Sequence, residues 1–225
     1  LYRKDFAHFT SSSGSVNAMS GNTISGLTSN NAKELWVGTR DGEGINRFVF
    51  NGNLEPQVYR YLDDPNDPNN ILGISCLSLL QRRNGEVWIG SQGFLTKLLP
   101  EPAGSGRRPQ VTRYTKGEWT FSLFEDSRGV LWGGTWDGGM WRFNEETEEF
   151  VSYMHDPNDP NSLCDNIVWS IGEDQHGNLW VGGHSNGLSI MPRSERDKAN
   201  PKFVSYKYDG DDETSLSNNT INSIY

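Results

Sequence analysis

Trp136-Asp137, His184-Ser185-Asn186, Arg40-Asp41 with Glu43, and Gln92 are short aromatic or polar clusters, and Trp119 and Trp169 add two further indoles. This combination suits one kind of chemistry. A sugar has an apolar face that stacks on an aromatic ring, and hydroxyls that need convergent polar groups. Trp136 with Asp137, Arg40 and His184 supplies both. The competing reading is structural: Trp136 packs against a neighbouring sheet, and the Asp-Gly pairs are turns. Other chemistries fit less well. The four histidines, His8, His155, His176 and His184, stand in no metal-binding spacing with each other or with a Cys. No serine lies in a Gly-x-Ser-x-Gly elbow. A glycosidase pair can come from acids far apart in sequence, and Asp41, Glu43 and Asp137 are the acids placed for it. No catalytic residue, metal site or cofactor is assigned.

These residues are spaced by a repeat. Leu35-Trp36-Val37-Gly38, Val87-Trp88-Ile89-Gly90, Leu131-Trp132-Gly133-Gly134 and Leu179-Trp180-Val181-Gly182 are four versions of one strand. Their tryptophans recur at intervals of 52, 44 and 48 residues, the range of a β-propeller blade. The strand is apolar at consecutive positions, which fits burial on both faces. Later strands such as Val111-Thr112-Arg113-Tyr114 alternate, which fits a half-exposed outer edge. The fold expected is all-β, a propeller of four-stranded antiparallel blades. Blades are placed at about 22–61, 71–114, 119–153 and 166–206, with partial blades at 1–10 and 220–225. The chain reads as one propeller segment, part of a seven-bladed ring. Trp36, Trp88, Trp132 and Trp180 are its expected blade core, each sealed between sheets. Ile221 to Tyr225 reads as a fifth copy of the first strand. Asn84-Gly85, Arg128-Gly129 and His176-Gly177 mark tight hairpins between the first two strands of a blade. Leu99 to Pro109 reads as a mobile linker, and the mixed charges of Pro192 to Pro201 as a solvated loop.

The bulk composition sets limits. The 225 residues carry a net charge of −9, with no basic stripe, so nucleic acid is not an expected partner. Cys76 and Cys164 fall near the starts of different blades and read as free thiols. No apolar run is long enough to span a membrane, and the chain, which does not start with Met, reads as a segment of something longer.

A second phrase recurs between blades: Asp64-Pro65-Asn66-Asp67-Pro68-Asn69-Asn70-Ile71, then Asp156-Pro157-Asn158-Asp159-Pro160-Asn161-Ser162-Leu163, with a worn copy at Asp209 to Asn219. Read as turns, these need no core; read as a cation loop, they lack the closing Glu and have Pro at the bend. Together with Glu173-Asp174-x-x-Gly177-x-Leu179-Trp180-Val181-Gly182 and Gly187-Leu188, the phrase resembles the two-component-regulator propeller repeat. That resemblance implies the extracytoplasmic, periplasmic sensor of a Bacteroidetes hybrid two-component system, with a membrane-anchored, dimeric parent protein that carries a kinase. It also implies that an oligosaccharide ligand would meet the face holding Arg40, Asp41, Gln92, Trp119, Trp136, Asp137, Trp169, His184 and Asn186. The segment itself is then not an enzyme. The alternatives are a propeller glycosidase or polysaccharide lyase, and a protein-interaction scaffold.

Overall fold

A strand that is apolar at every position needs cover on both faces, and stacked sheets provide it. The computed structural model describes residues 8–11, 18–29, 31, 33–40, 44–52, 56–62, 71, 75–105, 107 and 109–225. The chain divides into two units, Leu1–Lys116 and Gly117–Tyr225. The first holds β1 (Ile24–Thr28), β2 (Glu34–Thr39), β3 (Gly44–Val49) and β4 (Gln57–Leu62) as one antiparallel sheet in chain order. It continues with β5 (Ser78–Gln81), β6 (Val87–Gly90) and β7 (Gln92–Leu99). In the second unit are β9 (Leu131–Trp136), β10 (Met140–Asn144) and β11 (Glu149–Tyr153). After them β12 (Val168–Glu173), β13 (Leu179–Gly183), β14 (Leu188–Met191) and β15 (Val204–Tyr206) form another four-stranded antiparallel sheet in chain order. The architecture is the expected all-β one of propeller-like blades.

Two expectations about strands need correction. The outer strand before residue 116 and the inner strand after 118 are one strand, β8 (Gln110–Glu125). The connecting phrase of Asx and Pro turns is absent there, and Lys116-Gly117-Glu118 spans the gap in extended form with Gly117 at φ 83°. Ile221 to Tyr225 is not a strand. It still docks as the earlier copies do: Ile221 N donates to Gly183 O at 3.0 Å, and Ser170 Oγ donates to Ile221 O at 3.4 Å. Ile74 lies outside the described residues, and β5 starts only at Ser78.

Neighbouring sheets approach closely at the glycine that follows the repeated tryptophan. A methyl group on Gly134 would lie 2.5 Å from the Val168 side chain, and one on Gly182 would lie 2.8 Å from that of Ile221. Only a residue without Cβ admits such contacts. The tryptophans fill the space beside them. Trp36, Trp88 and Trp132 are fully buried, but Trp180 is only half-buried. Trp36 is covered by Leu79 and Val87, and Trp132 by Val168 and Ile171, all from the following sheet. Beside the β13 glycines the chain places Ile221, which is not part of a strand.

The indole nitrogens need partners as well. Trp132 Nε1 donates to Asp126 at 2.8 Å, Trp180 Nε1 to Asp174 at 3.0 Å and Trp88 Nε1 to Glu86 at 3.0 Å. In each case the acid sits in the hairpin before the strand. The first repeat has Glu34 at the place of Glu86, but its carboxylate pairs with Arg47, and Trp36 Nε1 has no partner among the described residues.

The two long loops are not free. Arg47 faces Trp36 across the β2–β3 ladder and donates to Glu101 O at 2.8 Å. Arg142 faces Trp132 in the same way and donates to Arg196 O at 3.1 Å. Each loop thus reaches back to the preceding sheet. Arg196, expected in a solvated loop, is 1% exposed, because it lies between the carboxylates of Asp126 and Glu173 at 2.9 and 2.7 Å. Burial acts to raise the Glu173 carboxyl, but donation from the Ser127 N–H and hydroxyl and from Arg196 outweighs it, and the group lies below its ordinary 4.5. Its contribution to stability is therefore full above about pH 5 and is lost as pH falls through the lowered value. We expect the denaturation midpoint of the native chain to fall below that pH more steeply than that of Glu173→Gln. Parallel pH profiles for the two would refute this.

The aspartate phrase forms turns where it is described. Asp156 Oδ1 accepts from Asn158 N at 2.8 Å and Asp159 Oδ1 from Asn161 N at 2.9 Å; Asp209 and Asp212 repeat the pattern with Asp211 and Thr214. Asp64 and Asp67 lie outside the described residues. Burial pushes the Cys76 thiol up to about 12, and both cysteines are free.

Candidate functional site

The second unit brings an aromatic group together through a repeated irregularity. In β8 the register with β9 shifts between Thr120 and Ser122, and in β12 the register with β13 shifts between Val168 and Ser170. The residues at the shifts are Phe121 and Trp169. A bulge re-aims the side chain it carries, and here it turns both rings toward the β9–β10 and β13–β14 turns. Those turns supply Trp136 and His184. Phe121 lies 4.8 Å from Trp169 and 5.8 Å from Trp136 between ring centroids. Trp136 lies 6.0 Å from Trp169 at an interplanar angle of 80°. His184 is 6.0 Å from Trp136 and 5.7 Å from Trp169. Trp119, paired across the ladder with Trp136, sits 6.2 Å from Phe121. Trp119 and Trp136 are each 43% exposed, so the cluster is a rim with open ring faces.

The turns holding these rings are stiffened by hydrogen bonds. Thr135 Oγ1 donates to Gly139 O at 2.9 Å and accepts from Gly138 N at 3.0 Å. Asp137 between them has φ 70°, a conformation that Asp tolerates better than most residues. In the next turn the buried Asp165 carboxylate accepts from the backbone N–H of Ser185 at 2.8 Å and of Asn186 at 3.0 Å. Its other oxygen accepts from Ile167 N at 3.0 Å. Asp165 therefore fixes the loop carrying His184. Asp137 and Asn186 lie on the same two turns as the rings, and Trp169 Nε1 donates to His184 Nδ1 at 2.9 Å.

Of the residues expected at a ligand face, Trp119, Trp136, Trp169 and His184 come together, with Asp137 and Asn186 on the same turns. Arg40 and Gln92 belong to the first unit, where Arg40 N donates to Thr23 O and Gln92 opens β7. Asp41 and Glu43 lie outside the described residues. Sequence reasoning missed Phe121 and Asp165. A signal for Phe121 existed: it stands eleven residues before Trp132, as Trp169 stands before Trp180.

Residues 162–185, which span β12, β13 and the His184 turn, match the family model described as two component regulator propeller. The match covers one repeat of the chain. That repeat contains Trp169, Trp180 and His184. A curated relative, histidine kinase P4 from Formosa agariphila, is 28% identical over 212 residues, which are 92% of this chain and 15% of the relative. Two solved extracellular domains from B. thetaiotaomicron are similar in fold. One, described as part of a one-component system, has a TM-score of 0.65 at 19% identity, over 90% of this chain and 24% of its own. Another, described as part of a hybrid two-component system, has a TM-score of 0.61 at 18% identity over the same shares. The chain thus spans about a quarter or less of each of these relatives, and among the described residues no helix is long and apolar enough to cross a membrane.

Proposed function

We propose that the chain is a ligand-sensing propeller segment of a hybrid two-component receptor, and that its rim binds an oligosaccharide outside the cytoplasm. The observation that carries the reading is the pair of open indole faces, Trp119 and Trp136, beside His184. A soluble domain rarely leaves clustered large rings exposed without a partner for them, and a sugar ring matches flat apolar faces edged by hydrogen-bonding groups. The segment binds and does not turn over its ligand. The parent protein is a membrane-anchored dimer with its sensor in the periplasm.

A panel of neutral and acidic oligosaccharides tests this by calorimetry and chromatography. We expect saturable binding of at least one glycan, recovered intact after long incubation. Trp136→Ala should weaken that binding about thirtyfold or more, the loss typical of an aromatic anchor, with an unchanged melting temperature. Cleaved glycan would favour an enzyme, and a panel with no binder would remove the sugar reading.

A further inference from the structure

We infer that His184 is the hydrogen-bond donor that determines what the rim accepts, and that Trp169 holds it in that role. The inference rests on the sugar-binding reading above. An indole N–H only donates. Because Trp169 Nε1 lies 2.9 Å from His184 Nδ1, that nitrogen is the acceptor and carries no proton. The proton of the neutral imidazole then sits on Nε2. Among the described residues Nε2 has no protein partner, and it is not one of the buried polar atoms lacking one. It faces solvent as a donor. The imidazole stands beside the Trp136 ring, 6.0 Å between centroids. A ligand stacked on Trp136 meets this donor at its edge and satisfies it with an oxygen acceptor.

The donor's direction is set before ligand arrives. His184 N donates to Ile167 O at 3.0 Å, and Asp165 holds the next two backbone N–H groups. A second proton on the imidazole would set Nδ1–H against the indole N–H and open the rim. The charged groups on elements packed around this loop are Asp165 beneath it, Asp137 on the adjacent turn and Lys207 behind Gly187. Among the described residues, none of these hydrogen-bonds to the imidazole.

Nitrogen–proton correlation NMR on the unliganded chain tests the tautomer directly. We expect His184 Nε2–H at neutral pH, and mixed tautomers in Trp169→Phe, which keeps a ring but removes the donor. A proton on Nδ1 of the native chain overturns the inference. Calorimetry with cello-, xylo-, manno- and maltohexaose supplies the second readout. Affinity should fall about three- to tenfold in His184→Phe and in Trp169→Phe. Unchanged affinity in both variants overturns the inference. Failure of all four probes and of acidic glycans to bind, with the tautomer as expected, overturns the sensing reading and the recognition role with it.

Discussion

Replacing Arg196 by Met should destabilise the second unit by about 3–5 kcal/mol, the cost of breaking a buried ion pair from one side. Arg196 is 1% exposed, and its partner Asp126 is 0% exposed. The substitution keeps an apolar chain of similar length, so little packing is lost. What remains is two carboxylates, Asp126 and Glu173, without the cation between them. Asp126 still accepts from Arg128 N, Val130 N and Trp132 Nε1, and these donors bear part of its charge but do not neutralise it. The triple replacement of Arg196, Asp126 and Glu173 by uncharged residues of similar volume should cost less than the single change. Urea denaturation followed by circular dichroism compares the two. If the single variant is as stable as the native chain, the loop at Pro192–Pro201 is the solvated surface segment its composition suggests.

That loop shows where sequence reading stops. The four Leu/Val-Trp strands and the hairpins between first and second strands are legible because each residue's role is local: apolar runs for buried strands, Asn-Gly or its equivalent for tight turns. The destination of Arg196 is not local. Nothing in Arg193, Glu195, Arg196, Asp197 and Lys198 distinguishes the one that is buried. It is Arg142, which donates to Arg196 O as Arg47 does to Glu101 O in the first unit, that shows this loop reaching back. The rim was more legible, since its residues fall in two columns of the repeat. Four residues after the strand tryptophan stand Arg40, Gln92, Trp136 and His184; eleven before it stand Ser25, Leu77, Phe121 and Trp169. Both columns turn aromatic only in the second unit. The first column was read. The second was read only in part, because a bulge moves its residue out of the simple alternation by which a strand's faces are assigned.

The repeat also predicts unequal roles for residues that look equivalent. Trp132→Ala should cost about 3–5 kcal/mol, as expected for a fully buried indole. Its ring packs with Met140, Val168, Ile171 and Leu179, and its Nε1 serves a carboxylate that has no access to water. Trp180→Ala should cost less than about 3 kcal/mol, because Trp180 already meets solvent on part of its surface. The acid it serves belongs to an open hairpin, where Asn178 and the His176 N–H also donate. Denaturant midpoints with matched slopes separate the two. Equal losses would mean that the Ile221–Tyr225 segment covers Trp180 as fully as the β12–β15 sheet covers Trp132, and the stacking argument would then have to treat that segment as a complete neighbour.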